Sequence, residues 1–234
     1  GKSGLIEHVI RNIGSDFTLE TSHQGSIPEM NQRSLVVIIS YSGKTDEILK
    51  LYHQAKEKTK KIIVISSNRK LIEDAKANDC LAITCPPTYT SKKSYFLMLF
   101  AAIFLFHRLD LINISEEDIQ EAIITVSQFS KNFKTFKYAN ELTKGIPLIY
   151  TWDEFSSIGR ILKVFFNVHA KHFAMHSSIP EADFNEIEAL SYGNPSVVPI
   201  FIYPAGERFH KARLLINTFK LMTSSKMTPL TFDM

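Results

Sequence analysis

Three continuous apolar runs constrain this chain more than any other feature: Val36–Ile39, Ile62–Ile65 and Leu81–Ile83. Runs without polar alternation read as strands buried on both faces, the mark of a parallel sheet. Each is followed by a stretch with helical spacing: Asp46 to Lys56, Lys70 to Lys76, and Ser91 to Leu109. Strands alternating with helices predict a doubly wound α/β fold. A second cycle follows. Ser115-Glu116-Glu117-Asp118 reads as an N-cap with an acidic first turn, opening a helix to about Phe133. Then come a strand at Ile146–Tyr150, a helix from Ser156 to Met175, a strand at Val197–Tyr203 and a helix from Arg208 to Met222. The expectation is two units, residues 1–130 and 131–234, each a parallel sheet flanked by helices in the flavodoxin-like manner.

A chain of 234 residues can hold one large or two small cores. Its 44% hydrophobic and 22% charged content excludes a disordered or fibrous chain. With 27 basic and 24 acidic residues there is no basic face for nucleic acid. The densest basic stretch, Lys56 to Lys61, falls where a helix should end, and cations there suit the helix dipole. The longest apolar run, Tyr95 to Phe106, is too short to span a bilayer, so no membrane partner is expected. Cys80 and Cys85 match no zinc or redox spacing and read as buried thiols of a cytoplasmic protein. His169, His172 and His176 share one face if their segment is helical. No carboxylate or cysteine completes a metal set with them, so neither metal nor cofactor is expected. The opening Gly1-Lys2-Ser3-Gly4 runs directly into helical spacing. A Gly-Ser turn of that kind normally follows a buried strand, so residues upstream of Gly1 are expected.

The strongest local signal is the turn after the first apolar run, Ser40-Tyr41-Ser42-Gly43-Lys44-Thr45. Gly43 permits a tight turn with close backbone approach. The start of the following helix offers free amides and a favourable dipole to an anion. Ser40, Ser42 and Thr45 add hydroxyl donors. The turn lies at the carboxyl end of a parallel strand, where ligands of open α/β sheets bind. The long glycine spacing of a nucleotide P-loop is absent, so a monophosphate ester fits better than a triphosphate. A capped helix whose serines and threonine serve only the turn is the alternative that the pattern leaves open.

The run Ser40 to Glu47 resembles the Ser-Tyr-Ser-Gly-Asn-Thr-x-Glu loop of sugar isomerase (SIS) domain proteins, in particular the bifunctional phosphoglucose/phosphomannose isomerases. Gly1-Lys2-Ser3-Gly4 resembles that family's Gly-Gly-Ser-Gly turn. Ser66 to Leu71 sits where the family has a Gly-rich turn, and Pro86-Pro87 with Ser91-Lys92 resembles its segment ending in Pro-Arg. Ile146-Pro147-Leu148-Ile149-Tyr150 resembles a Pro-x-x-Tyr strand. Asn167-Val168-His169-Ala170-Lys171 stands where the family reads Asn-Glu-Asn-Ala-Lys. Pro180 to Ile187 stands where it reads Pro-Glu-x-x-His-Asn-Glu-Ile.

The resemblance implies a phosphorylated hexose as ligand, a homodimer, and phosphate contacts from Ser3, Ser40, Ser42 and Thr45. It places Lys92 where an arginine stabilises the intermediate; lysine keeps the charge but loses the bidentate fork. An aldose–ketose isomerase needs a carboxylate base over the enediolate and an acid/base for ring opening. The family's glutamate base is Val168 here, and its ring-opening histidine is Phe184. Neither side chain moves a proton. Glu181, Glu186, Asp183 and His169 lie near without matching the base position, and Lys226 is a poor match to a further family lysine. The expectation is a sugar-phosphate-binding protein with weak or no isomerase activity. An active isomerase using replaced residues, and a non-catalytic dimerisation module, are the alternatives.

Overall fold

A computed structural model describes residues 6, 7, 9–11, 17–22, 29–87, 90, 93–132, 136–152, 155–182, 185, 186, 196–203, 214, 216, 217 and 230–233. The chain forms two compact units, Gly1–Glu116 and Glu117–Met234.

The first unit contains β1 (Val36–Ile39), α1 (Asp46–Lys58), β2 (Ile62–Ser66), α2 (Arg69–Ala77), β3 (Leu81–Thr84) and α3 (Tyr95–Arg108). Its sheet runs β1-β2-β3, all parallel, with Val36 beside Ile62 and Ile63 beside Leu81. Side chains alternate across the sheet. Ile38, Ile62 and Val64 pack with Tyr52, Ala55, Leu71, Ile72 and Ala75 of α1 and α2. Ile63 and Ile65 face the other way, and α3 packs on β2, with Met98 fully buried. Cys80 and Cys85 are buried thiols outside any disulfide, and the Cys85 sulfur lies 3.8 Å from that of Met98.

The three apolar runs are not equivalent. Only β2 is buried along its whole length. Leu81 of β3 is 54% exposed, because an outer strand has cover on fewer sides. Apolar content marks a strand as suited to burial, and strand order decides which strand receives it.

The second unit opens with α4 (Glu116–Asn132), whose first residue closes the first unit, and contains α5 (Phe136–Leu142), β4 (Ile146–Trp152), α6 (Ser156–Phe165), a π-helical turn (Phe166–Ala170), β5 (Met175–Ile179), β6 (Val197–Tyr203) and β7 (Leu230–Asp233). The sheet order is β5-β4-β6-β7, all parallel. A first strand placed between the second and third is the flavodoxin-like order. Ile149, Ile200 and Ile202 pack under Leu142, Ile158, Leu162 and Phe166. Leu148, Tyr150, Phe201 and Tyr203 cover the other face with Ile179, Ala182 and Ile216. Helical residues therefore close both faces, as a doubly wound sheet requires.

Two expectations about this unit change. The helix expected from Ser156 to Met175 stops at Phe165, widens into the π turn and ends at Lys171, whose φ of 56° is left-handed. Met175–Ile179 is instead a strand, and so is Leu230–Asp233. The helix expected from Arg208 to Met222 falls almost wholly outside the described residues. Among the described residues no helix is long and apolar enough to cross a membrane.

Candidate functional site

The turn from β1 to α1 is built around a backbone that must leave the strand and enter a helix within six residues. Gly43 takes φ 55°. A Cβ there would lie 2.8 Å from both Asn68 Cβ and Ser66 Oγ, so glycine is required by both conformation and space. The Ser40 hydroxyl accepts from the Gly43 N–H at 3.1 Å. Ser40 is thus partly committed to bracing the turn.

The neighbouring turn after β2 holds this one from behind. The Tyr41 carbonyl accepts from the Ser67 hydroxyl at 2.6 Å and the Ser67 amide at 3.1 Å. Asn68 Nδ2 donates to the Ser42 carbonyl at 2.8 Å and the Gly43 carbonyl at 3.2 Å. Its Oδ1 caps α2, accepting from Lys70 and Leu71. The buried Tyr41 ring sends its hydroxyl to the Pro86 carbonyl at 2.7 Å. One asparagine therefore caps a helix and clamps the adjacent turn. Sequence reasoning placed Ser66 to Leu71 only by resemblance. The local signal was present, since an asparagine directly before helical spacing is an N-cap signature.

What remains open is the side facing solvent. Lys44 and Thr45 are exposed and Ser42 is half-buried. Among the described residues neither the Ser42 nor the Thr45 hydroxyl has a hydrogen-bond partner. The Thr45 carbonyl already accepts from Ile48 and Leu49. That leaves the amides of Asp46 and Glu47 as free donors of the helix start. Lys44 adds positive charge, while the Asp46 and Glu47 carboxylates in the first turn oppose a bound anion. Among the described residues, the turn presents two hydroxyls and two amides without protein partners, which is the donor set a phosphate monoester takes.

In the second unit Val168 lies in the π turn and is half-buried. Asn167 anchors that turn. Its Nδ2 donates to the Lys163 and Ala174 carbonyls at 2.8 and 3.1 Å. His169 leans edge-on against Phe165, with ring centroids 5.3 Å apart. His172 Nε2 reaches the Leu142 and Gly145 carbonyls at 3.1 and 2.9 Å, so it carries the proton. His176 shares a 2.8 Å hydrogen bond with Thr151 and fits against Gly159, where a Cβ would strike the imidazole. Burial first, then the charges of Arg160 and Lys163, hold His176 down to about 4. The three histidines lie on a π turn, a loop and a strand, so the single helical face expected for them does not exist. Glu181 accepts from Asn185 Nδ2 at 3.3 Å. Glu186 Oε2 is closed off from solvent without a partner among the described residues. Ser3, Lys92, Asp183, Phe184 and Lys226 lie outside the described residues.

Comparisons agree with this architecture. Residues 8–108 match the SIS domain model, and residues 132–231 match the bacterial phospho-glucose isomerase C-terminal SIS domain. A bifunctional phosphoglucose/phosphomannose isomerase of Aquifex aeolicus is 27% identical over 75% of this chain and 53% of its own length. A D-glucosamine-6-phosphate 4-epimerase of Sulfolobus acidocaldarius is 28% identical over 85% of this chain and 66% of its own. The chain thus spans between about half and two thirds of these curated relatives. Among solved structures, a glucosamine-6-phosphate deaminase of Thermotoga maritima superposes with a TM-score of 0.63 at 17% identity, covering 88% of this chain and 62% of that one. The C-terminal domain of a Francisella tularensis glucosamine-fructose-6-phosphate aminotransferase gives 0.60 at 13%, covering 86% and 64%. At such identities the superpositions speak for the fold alone. With an SIS model matched in each unit, the chain is an SIS-domain protein that resembles the bifunctional phosphoglucose/phosphomannose isomerases.

Proposed function

We propose that this protein binds a phosphorylated hexose through the β1–α1 turn and has weak or no isomerase activity. The observation that carries the reading is the contrast in donors. Ser42, Thr45 and the amides opening α1 are unpartnered among the described residues. Val168, at the position of the family's carboxylate base, is hydrocarbon. Ser42 and Thr45 contact the phosphate directly, Ser40 shapes the turn that presents them, and Ser3 adds a hydroxyl that the resemblance implies as a phosphate contact. Lys92 supplies a single positive charge at the position where the resemblance implies the family's arginine. Phe184, at the place of the ring-opening histidine, offers no proton. The relatives' names, an isomerase and an epimerase, share a phosphorylated hexose while differing in chemistry, which supports the ligand class above any one reaction. The protein acts as a homodimer in the cytoplasm, a compartment that suits its free cysteines.

Coupled assays with glucose 6-phosphate, mannose 6-phosphate and fructose 6-phosphate test the reading. Negligible turnover together with binding of fructose 6-phosphate is expected. Turnover at an ordinary enzymatic rate, on the order of 10 s⁻¹, would establish the active isomerase instead.

A further inference from the structure

Tyr41 stands between the two serines of the β1–α1 turn, yet what it grips belongs to the next two strands. Its carbonyl accepts from the Ser67 hydroxyl at 2.6 Å and the Ser67 amide at 3.1 Å, just beyond β2. Its ring is buried, with 5% exposure. Its hydroxyl donates to the Pro86 carbonyl at 2.7 Å, just beyond β3. The sheet is ordered β1-β2-β3, so one residue ties together the carboxyl ends of all three strands. Its side chain crosses the end of β2 to do so.

The far end of that tie is a stretch that offers few handles. The Cys85 amide donates to the Ser66 carbonyl at 2.8 Å and carries the pairing of β3 with β2 one step past the strand. Pro86 and Pro87 follow. Neither has an N–H to donate, and a residue before proline is held to extended backbone. Such a stretch is stiff, and hydrogen bonds can hold its backbone only by the carbonyls. Tyr41 takes the first of them. Pro86 and Pro87 are exposed and border the carboxyl edge of the sheet, where ligands of open α/β sheets bind.

The phosphate turn follows β1, and the proline stretch follows β3. Two strand spacings separate them, about 9.6 Å at ~4.8 Å each. An open-chain hexose phosphate spans such a distance from its phosphorus to its far carbons, and a triose phosphate falls short. We propose that Tyr41 is a positioning residue that sets the length of ligand the site takes, its hydrogen bond to Pro86 fixing the far wall at the reach of a phosphorylated hexose. Tyr41 has this role only if the β1–α1 turn seats the phosphate as proposed above. Without the hydroxyl the proline stretch is released, while Asn68 and Ser67 still hold the phosphate turn.

Calorimetric titration of the full chain with inorganic phosphate, dihydroxyacetone phosphate and fructose 6-phosphate tests this. The unmodified protein should bind fructose 6-phosphate about tenfold or more above the triose phosphate. Tyr41→Phe keeps the ring and removes the hydroxyl, and it should still bind inorganic phosphate while losing that preference. Ser67→Ala loosens the Tyr41 carbonyl without cutting the tie to Pro86, and it should keep the preference. One measurement needs no variant. The Pro86 carbonyl carbon, whose NMR shift reports its hydrogen bond, should move on adding fructose 6-phosphate and stay on adding inorganic phosphate. A preference undiminished in Tyr41→Phe would overturn the assignment. So would a preference lost equally in Ser67→Ala, or a Pro86 carbonyl unmoved by fructose 6-phosphate. Absence of binding by all three ligands would remove the phosphate seat itself, and the role of Tyr41 with it.

Discussion

The β1–α1 turn and the π turn after α6 are held in the same way and offer opposite surfaces. In each, a side-chain amide spans two backbone carbonyls. Asn68 ties Ser42 and Gly43, and Asn167 ties Lys163 and Ala174. Beyond that the two part. The first leaves the Ser42 and Thr45 hydroxyls and the helix-start amides unused by described residues. The second presents Val168, and its nearby histidines are occupied in packing or in holding backbone. Scaffold and chemistry are thus separable: two turns can be clamped in the same way while the side chains they display differ in whether they can bond an anion or transfer a proton.

The largest effect should come from breaking the first turn. Gly43→Ala imposes a left-handed conformation on a residue with a side chain, at about 1–2 kcal/mol. It also forces overpacking against Asn68 and Ser66 at roughly 1–3 kcal/mol. Urea unfolding should show a loss of about 2–5 kcal/mol, with the response to fructose 6-phosphate gone. An unchanged midpoint would mean that the turn is not built as described.

Comparing the two clamps comes next. Asn68→Ala and Asn167→Ala should each cost about 1–3 kcal/mol through lost hydrogen bonds and orphaned carbonyls. Only Asn68→Ala should also abolish stabilisation by fructose 6-phosphate. If Asn167→Ala abolished it equally, the assignment of the phosphate to the first turn alone would fail.

A smaller effect concerns pH. The folded value of His176 is about 4, below its ordinary 6.5. The folded state therefore resists protonation, and the unfolded chain takes the proton first. The contribution is intact above about 6.5 and is lost progressively as pH falls toward about 4. His176→Gln should flatten that part of a plot of unfolding midpoint against pH. An identical slope in both proteins would mean that His176 does not contribute to the pH dependence.

Much of this was legible in the sequence, for identifiable reasons. β2 and β6 are apolar at nearly every position because they are buried, and such runs announce themselves. The Ser40–Thr45 turn was legible because its glycine and hydroxyls follow an apolar strand directly. β5 was not, since Met175-His176-Ser177-Ser178-Ile179 is polar in the middle and continues a helical spacing from α6. The chain leaves the helix there because Asn167 grips Ala174 and Lys171 turns left-handed, which are tertiary facts. The clamping role of Asn68 was hidden likewise. Its cap is a local property, but its grip on Ser42 and Gly43 appears only when β1 and β2 lie side by side.

Whether the β1–α1 turn seats a phosphate monoester is decided by calorimetric titration with fructose 6-phosphate and with fructose. Fructose 6-phosphate should bind and fructose should not. At ligand about a hundredfold above its dissociation constant the protein should gain roughly 2.7 kcal/mol of stability. Ser42→Ala should remove the binding while shifting the unliganded stability by no more than about 0.5 kcal/mol. Equal binding of both sugars, or undiminished binding by Ser42→Ala, would contradict the claim.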